Sequence, residues 1–417
     1  MTYLQLVAIT LCAMLSVSAA AANRFTIAVI PDTQNYVDYN HRKSAGYQLD
    51  GSQIFLQQMG WVAGKSRVNG GDIVFSISLG DMWQHASVLI DPEHVGRGFR
   101  AIPWEDSNAW IRPETRSFEM PLVAKGYLLI ADKLPFSVVP GNHDFDSQWS
   151  DAEFPPNPSI KTDAREGAYV AGGLSNFRSI FDANSSFFKN KSWYVGTSPS
   201  GGDSADLFEA GGYRFLQISL QYHTPNSSLI WAQGIIKRYK GLPTIVSTHA
   251  FLKTPGERLN DLISDLEENN PEVVWQKFIS QNDQIFLVLS GHWCAQAHRR
   301  DDNRFGHSVD QVLSDYQCRW QAARDAGARE MGLGLGDGWM RLLQFDLDEA
   351  IPSIHVRTYS TFYNAFSSDL PTYAQWYKKD EWPTLSDADF LKQDDFVIYL
   401  GDFRERFLSR GSISQSD

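Results

Sequence analysis

The segment Leu134-Pro135-Phe136-Ser137-Val138-Val139 runs directly into Pro140-Gly141-Asn142-His143-Asp144. A short, largely apolar run that ends in glycine and several polar side chains is typical of a buried strand with functional groups at its carboxyl end. We therefore predict a strand over 134–139 and a group of chemically active side chains immediately after it.

Four other fragments of the sequence follow the same pattern, an apolar run that ends in polar residues. They are Ala28-Val29-Ile30-Pro31-Asp32-Thr33-Gln34, Ile77-Ser78-Leu79-Gly80-Asp81, Ile245-Val246-Ser247-Thr248-His249 and Leu287-Val288-Leu289-Ser290-Gly291-His292. Because α/β sheets bind ligands at the carboxyl ends of their strands, we expect these terminal side chains to lie close together.

Strands and helices alternate along the first part of the chain. Apolar runs at 25–30 and 73–79 indicate strands, and apolar residues at helical spacing over 48–67 indicate the helix that joins them. A strand–helix–strand order implies a parallel sheet with right-handed crossovers, so the fold class is α/β.

The last part of the sequence changes character. The apolar runs 309–316, 340–345 and 354–359 follow one another without long helices, which indicates antiparallel strands. The segment 145–202 is rich in Pro, Gly, Asn and Ser, and we interpret it as a lid or substrate-facing insertion, with a decorative surface excursion as the alternative. We assign no structure to 364–417.

Composition excludes several classes of protein. Of the 417 residues, 43% are hydrophobic and 21% are charged, so the chain can bury a large core and is not disordered. The net charge is −12 and Lys and Arg form no block, which argues against nucleic acid as a constitutive partner. A phosphate ester bound at metal ions remains compatible with this charge.

The first 22 residues carry no charged side chain and combine an apolar run at 4–17 with five small residues at 18–22. This pattern predicts a secretory signal peptide over 1–22, hence an exported protein with no membrane span after its removal. Outside it only Cys294 and Cys318 remain, and an oxidising compartment favours a disulfide between them over two free thiols.

Taken in order, Asp-x-Gln, Gly-Asp, Gly-Asn-His-Asp, His and Gly-His resemble the calcineurin-like metallophosphoesterases. Their usual series is Asp-x-His, Gly-Asp, Gly-Asn-His-Asp/Glu, His, Gly-His-x-His. Together with Asp32-Thr33-Gln34, the fragments Asp315-Tyr316-Gln317 and Gly336-Asp337-Gly338-Trp339 resemble a secreted subgroup in which Asp-x-Gln replaces Asp-x-His. The resemblance implies two packed mixed β-sheets flanked by helices, a four-layer αββα sandwich, over 23–363.

The same resemblance implies a centre of two divalent ions, Mn, Fe or Zn. Asp81 would bridge the ions, Asp32 and Gln34 would belong to the first site, and Asn142, His249 and His292 would complete the second. His143 would act as general acid or phosphate-stabilising group, and Asp144 would orient its ring. Taken singly, each of these residues has an ordinary structural alternative, such as a turn, a helix cap or a satisfied core histidine.

Two departures from the family pattern fall on the first site. Gln34 replaces a histidine, and an amide oxygen is a weaker ligand than imidazole for these metals. Cys294 stands where the second histidine of Gly-His-x-His would be, and a disulfide would prevent its thiolate from binding. The first site is therefore expected to be weak, to fill with substrate, or to be completed by another residue, for which His298 is a candidate.

These expectations define the function predicted from sequence. The leading hypothesis is an exported metal-dependent phosphoesterase that cleaves a phosphomonoester or phosphodiester by attack of metal-bound hydroxide. Its substrate would be a small-molecule or nucleotide-like phosphate ester. The alternative is a non-catalytic binding protein on a degenerate metallophosphoesterase scaffold, motivated by the altered first site.

Overall fold

The computed structural model describes residues 23–98, 111–150, 169–260, 268–329 and 334–407. The predicted signal peptide over 1–22 lies outside these ranges, as does 151–168 within the predicted insertion. Within the described ranges, no helix combines the length and the apolar character that crossing a membrane requires.

The strands follow one another along the chain with these bounds: β1 (Arg24–Ile30), β2 (Ile73–Ser78), β3 (Phe136–Ser137), β4 (Ser147–Ser150), β5 (Tyr169–Gly172), β6 (Tyr194–Thr197), β7 (Ser204–Ala210), β8 (Tyr213–Leu220), β9 (Thr244–Ala250), β10 (Leu252–Lys253), β11 (Glu257–Arg258), β12 (Ile285–Gly291), β13 (Ala295–Asp302), β14 (Ser308–Asp315), β15 (Trp339–Asp346), β16 (Ser353–Ser360), β17 (Ala365–Phe366) and β18 (Asp395–Tyr399).

The described helices are α1 (Gln34–Val37), α2 (Gly51–Gly64), α3 (Pro92–Gly96), α4 (Glu119–Ile130), α5 (Ser175–Phe181), α6 (Asn226–Arg238), α7 (Pro271–Val274), α8 (Gln321–Asp325), α9 (Tyr373–Glu381), α10 (Asp387–Leu391) and α11 (Phe403–Arg406). The helix predicted over 48–67 is α2, which begins where the carboxylate of Asp50 accepts a hydrogen bond from the backbone N–H of Ser52. A π-helical turn over Trp275–Ile279 continues α7.

The first sheet has the strand order β17-β16-β15-β1-β2-β3, and β18 pairs with β16. Strands β1, β2 and β3 are parallel, whereas β15 is antiparallel to both β1 and β16. Helices α2 and α4 connect the three parallel strands, as the strand–helix–strand pattern predicts. The strand predicted over 134–139 contracts to β3, because Pro135 and Pro140 on either side have no N–H to donate to a neighbour.

The second sheet has the order β13-β14-β12-β9-β8-β7-β6. Strands β8, β9, β12 and β14 are parallel to one another, whereas β13 and β7 run the other way. The edge strand β6 is antiparallel to β7 and so runs in the same direction as β8. The prediction of an antiparallel strand over 309–316 is therefore correct for its pairing with β13 and wrong for its pairing with β12. Strand β13 reverses the chain between β12 and β14, so β14 regains the direction of β12.

The two sheets pack face to face around a shared aromatic core. The ring of Phe25 on β1 stacks on Phe345 of the same sheet at 4.6 Å and meets Phe215 of the second sheet at 5.6 Å. Alternate residues of β1 face opposite ways, so Ile27 lies between the sheets while Ala28 faces the helices. Helices α2 and α4 cover the first sheet, and α6 and α7 cover the second. The predicted four-layer αββα architecture is confirmed.

Two segments of uncertain sequence pattern contribute to this framework. Within 145–202, β4 pairs with β5, β6 extends the second sheet, and α5 brings Phe177 and Phe181 into the helix-side core of the first sheet. The role of this segment as a lid stays a prediction. Within 364–407, β17 and β18 pair with β16, and Phe403 and Phe407 enter the core between the sheets.

Candidate metal centre

Polar side chains gather where strands of both sheets end. Asp32 follows β1, Asp81 follows β2 and Asn142 follows β3 in the first sheet, while His249 lies near the end of β9 and His292 follows β12 in the second. The first four are buried and His292 is half-buried. Contacts of Asn142 with His249 and His292 join the carboxyl ends of the two sheets, as the shared sequence pattern predicts.

The turns at these strand ends are tightly constrained. Asp81 and His292 adopt left-handed backbone conformations, with φ of 49° and 71°, which non-glycine residues seldom adopt outside functional or strained turns. A Cβ added to Gly141 would clash with Oδ1 of Asp81, and one added to Gly291 would clash with Oδ1 of Asp32. Glycine therefore permits the close approach of these strand ends.

The ring of His249 is held so that one nitrogen faces the other polar groups. Its Nδ1 lies 2.8 Å from the carbonyl oxygen of Leu79, to which it donates. Its Nε2 then lies 3.0 Å from Oδ1 of Asn142 and 3.3 Å from Oδ2 of Asp81. A backbone carbonyl that fixes the tautomer and aims the lone pair is the usual arrangement of a metal-binding histidine.

His292 completes a compact group with the same residues. Its Nδ1 lies 2.9 Å from Oδ1 of Asn142 and 3.1 Å from Nε2 of His249. The ligand atoms of Asp81, His249 and His292 all lie within 4.8 Å of one another. The aromatic ring of Tyr222 borders this group, with its centre 5.8 Å from His249 and 5.6 Å from His292. This group of residues corresponds to the second metal site predicted from the sequence.

Asp32 and Gln34 lie beside this group and make contacts of a different kind. Oδ2 of Asp32 accepts a hydrogen bond from the backbone N–H of His292 at 3.1 Å, and its Oδ1 has no hydrogen-bond partner. The side-chain Nε2 of Gln34 donates to Oδ2 of Asp81 at 3.1 Å and to Oε1 of Gln317, while its own Oε1 has no partner. These residues form the first site.

The electrostatics of the cluster are those of charges held close together in a dry environment. Burial raises the pKa of Asp81, but the adjacent imidazoles of His249 and His143 outweigh burial and lower it below the ordinary range. Burial, together with the charge of His249, lowers the pKa of His292 to about 3. Burial, together with the carboxylates of Asp315 and Asp81, raises the pKa of Asp32 well above its usual value.

The predicted acid His143 lies against the cluster, but Asp144 does not hold its ring as predicted. Nδ1 of His143 lies 2.5 Å from the carbonyl oxygen of Gln84, and its Nε2 lies 3.9 Å from Oδ2 of Asp81. The carboxylate of Asp144 accepts hydrogen bonds from the backbone N–H groups of Met82 and Gly141, at 2.8 and 2.9 Å. Asp144 is therefore engaged in shaping the two strand-end turns, and a main-chain carbonyl orients the imidazole.

The loop that carries Gln84 is fixed by a buried glutamate. Oε2 of Glu119 accepts hydrogen bonds from the backbone N–H groups of Gln84 and His85, and Oε1 lies 2.7 Å from Nδ1 of His85. Asp38 approaches the same pair, so that Asp38, His85 and Glu119 form a second group with metal-binding geometry. We assign the His85–Glu119 pair a structural role, because the hydrogen bonds just described account for both oxygens of Glu119.

The two candidates for completing the first site are engaged elsewhere. Cys294 and Cys318 form the predicted disulfide, with a Cα–Cα distance of 5.8 Å, so neither sulfur offers a thiolate. His298 points away: its Nε2 lies 2.7 Å from Oδ1 of Asp310 and its ring stacks on Phe396. The suggestion that His298 completes the first site is therefore wrong.

The two later sequence fragments have separate roles. Asp337 caps helix α8, since its carboxylate accepts hydrogen bonds from the backbone N–H groups of Gln321 and Ala322.

Gln317 instead reaches the first site, where sequence reasoning assigned it no role. The signal was present, because Asp315-Tyr316-Gln317 ends β14 with the same Asp-x-Gln pattern that Asp32-Thr33-Gln34 forms after β1. The contact between Gln84 and His143 is made by the backbone and left no sequence signal.

The cluster satisfies the requirements of a divalent cation. Nε2 of His249 lies 3.0 Å from the amide oxygen of Asn142 and 3.3 Å from the carboxylate of Asp81, so three ligand atoms converge. Burial alone would lower the pKa of His249, but the charge of Asp81 outweighs burial and raises that pKa, so that a bound cation would replace a proton on Nε2. The buried Oδ1 of Asp32 and Oε1 of Gln34 have no hydrogen-bond partner, which a buried polar atom rarely tolerates. Carboxylate, amide and imidazole are ligands of Mn²⁺, Fe²⁺ and Zn²⁺.

No protein-family model matches this chain. It is 25% identical over 235 residues to the uncharacterized protein YvnB of Bacillus subtilis (strain 168), and the match spans 55% of this chain but only 14% of that protein.

Solved structures that resemble this chain include two with low sequence identity to it. GAP50, the anchor in the inner membrane complex of Plasmodium, has a TM-score of 0.36 at 10% identity, covering 82% of this chain and 86% of its own. A dimetal phosphatase from Danio rerio has a TM-score of 0.38 at 12% identity, covering 81% of this chain and 96% of its own.

Proposed function

We propose that this chain is an exported, metal-dependent phosphoesterase related to the calcineurin-like metallophosphoesterases. The observation that carries the proposal is the convergence of Asp81, Asn142, His249 and His292, with Nε2 of His249 held in the metal-binding tautomer by Leu79. Such a group binds a divalent cation. His143 beside it is a residue that a pure binding scaffold does not need.

The residues divide the work of phosphate-ester hydrolysis. Divalent ions bound in this centre supply Lewis acidity toward the phosphate and lower the pKa of a water molecule. Asn142, His249 and His292 hold the second site, and Asp81 lies between it and Asp32 and Gln34 of the first. His143, held through Nδ1 by the carbonyl of Gln84, presents Nε2 next to Asp81 and is placed to protonate the leaving oxygen or to stabilise phosphate charge.

The substrate class and the compartment follow from other features of the chain. The net charge of −12 disfavours an extended nucleic acid and is compatible with a small-molecule or nucleotide-like phosphate ester. The uncharged, apolar first 22 residues and the disulfide between Cys294 and Cys318 both support export to an oxidising compartment.

The test is hydrolysis of p-nitrophenyl phosphate and bis(p-nitrophenyl) phosphate by the chain without its predicted signal peptide, in the presence of Mn²⁺ or Zn²⁺. His143→Ala and His292→Ala are the test variants, and His355→Ala is the matched control, because that histidine lies on β16 and pairs with Asp395 of β18. The expected result is metal-dependent activity that His143→Ala and His292→Ala each lower about 10²- to 10⁴-fold, whereas His355→Ala preserves it. The preferred ester would identify the substrate class.

The opposite result has a defined meaning. If the folded protein binds divalent ions but hydrolyses neither ester, these two esters do not represent its substrate class. A panel of nucleotide phosphates would then be assayed. A folded protein that binds no divalent ion and hydrolyses nothing would overturn the proposal. It would favour a non-catalytic binding protein on this scaffold.

A further inference from the structure

We propose that Gln317 is a ligand of the first site and that this site is built entirely from oxygen ligands. The site would consist of the side-chain oxygens of Asp32, Gln34, Asp81 and Gln317, and it would select Mn²⁺ or Mg²⁺ over Zn²⁺. This inference rests on the proposed metal centre and specifies the composition and the preference of one of its two sites.

The position of the Gln34 amide is the first observation. Its Nε2 donates both to Oδ2 of Asp81 and to Oε1 of Gln317, so a partly positive NH₂ group stands between oxygen atoms of two different strand ends. Its Oε1 is buried without a partner. Rotation of the amide by half a turn brings that oxygen to the place of Nε2 and leaves a set of oxygens that only a cation can satisfy.

Asp32 contributes the second observation. The residue is only 2% exposed, and its buried Oδ1 has no hydrogen-bond partner. Its Oδ2 is reached by Nε2 of Gln317 at 3.4 Å. Gln317 therefore contacts both predicted ligands of the first site, Asp32 and Gln34.

Asp315 holds the Gln317 side chain in this orientation. Its Oδ1 accepts the backbone N–H of Gln317 and its Oδ2 accepts the side-chain Nε2, both at 2.9 Å. Because the NH₂ group is bound to Asp315, the Oε1 atom is the end that faces Gln34. A carboxylate that orients an amide ligand in this way is the usual arrangement of residues behind a metal site.

The backbone that carries Gln317 is fixed on its C-terminal side. Cys318 is bonded to Cys294, which lies two residues beyond His292 of the second site. Arg319 is buried and donates two hydrogen bonds to Glu381 at 2.7 and 2.9 Å. Cys294 thus stands at the sequence position of the missing histidine, and its disulfide to Cys318 holds the neighbouring Gln317 beside the site.

The two sites therefore differ in ligand chemistry. The second site contains the imidazoles of His249 and His292, which suit Zn²⁺ and Fe²⁺. Among the residues that the structure describes, the first site offers carboxylate and amide oxygens, since the sulfur of Cys294 is bridged and His298 is paired with Asp310. Oxygen ligands suit Mg²⁺ and Mn²⁺, so a centre loaded with two different ions is expected.

The test is metal binding by the EDTA-treated chain without substrate, measured by isothermal titration with Mn²⁺ and, separately, with Zn²⁺. Gln317→Met removes the oxygen at nearly constant length, Gln317→His supplies an imidazole, and Gln321→Met is the matched control because that side chain bonds Asp325 on helix α8. We expect two Mn²⁺ per wild-type chain. Gln317→Met should weaken one of them at least about 10-fold, and Gln317→His should shift that site toward Zn²⁺.

The outcomes separate this inference from the proposed function. If Gln317→Met and Gln317→His bind Mn²⁺ and Zn²⁺ as the wild type does, Gln317 is not a ligand, while the second site is unaffected. The same conclusion follows if the wild type binds a single ion and His292→Ala abolishes that binding. If the wild type binds no divalent ion, both the inference and the metal centre fail. Circular dichroism verifies that each variant is folded, and if Gln317→Met is not, Gln317→His decides alone.

Discussion

The carbonyl oxygen of Gln84 lies 2.5 Å from Nδ1 of His143, and this contact determines which ring nitrogen faces Asp81. Gln84 is in turn fixed by Glu119, which accepts the backbone N–H groups of Gln84 and His85. A buried carboxylate at the start of α4 therefore positions the proposed acid without contacting it.

Glu119→Gln is expected to lower kcat about 10- to 100-fold with little change in KM, because the loss acts on the orientation of His143 and not on substrate binding. Metal content measured by mass spectrometry should stay unchanged. The control is Glu405→Gln on the exposed side of α11. An equal loss of metal and activity would show that Glu119 supports the centre as a whole instead of His143.

Removing the Arg319 side chain is expected to destabilise the protein. Its guanidinium is 1% exposed and lies between Glu381 and Asp394, so Arg319→Met leaves two carboxylates buried with one cation fewer. The expected loss is about 3–5 kcal/mol in urea-induced unfolding. The double variant Arg319→Met/Glu381→Met should recover part of it. A double variant less stable than the single one would contradict this account of the pair.

The fold and much of the site could be predicted from sequence for one physical reason. Strand ends that carry Gly, Asp, Asn or His are recognisable locally, and topology brings such ends together without further information. The positions of Asp81, His249 and His292 follow from that rule. The burial of alternate residues in β1 on two faces likewise follows from the two-residue period of a strand.

The remaining features depend on long-range contacts that no local pattern encodes. The Asp-x-Gln pattern marks Gln34 and Gln317 as similar strand-end residues, but their contact joins residues 283 positions apart and the pattern does not specify it. The ring of His143 is oriented by the main chain of Gln84, and a main-chain oxygen is present at every residue. The parallel pairing of β14 with β12 depends on β13 having reversed the chain between them.

Reduction of the disulfide is expected to lower stability and to loosen the first site. The bond joins residues separated by 24 positions, and closing a loop of that length contributes about 3 kcal/mol through the entropy of the unfolded chain. The variant Cys294→Ser/Cys318→Ser should lose about that amount in urea unfolding and bind Mn²⁺ more weakly at one site. Unchanged Mn²⁺ binding in a destabilised variant would show that Gln317 is held without the bridge.

The stability of the metal-free protein is expected to fall between about pH 6.5 and 8. Burial raises the pKa of Asp144 to about 8 and that of Asp315 to about 7, so the native state retains protons that the unfolded chain has released. The free energy of unfolding therefore decreases as the pH rises from the ordinary carboxyl pKa of about 4 toward these values, and it levels off once the pH has passed them. His292 has the opposite shift, with a pKa lowered to about 3 by burial and by His249. Its unfolded imidazole, with a pKa of about 6.5, loses its proton in the lower part of this window, so its opposing effect on the slope fades toward pH 8.

Urea unfolding in EDTA at several pH values across this window measures the slope, which is at most about 1.4 kcal/mol per pH unit for each retained proton. Asp144→Asn should flatten it, because that variant has no proton to release at this position. Saturating Mn²⁺ should reverse it, since metal binding requires deprotonated ligands and strengthens as the pH rises. A metal-free protein whose stability rises from pH 6.5 to 8 would show that these carboxyl groups are already ionised in the folded chain.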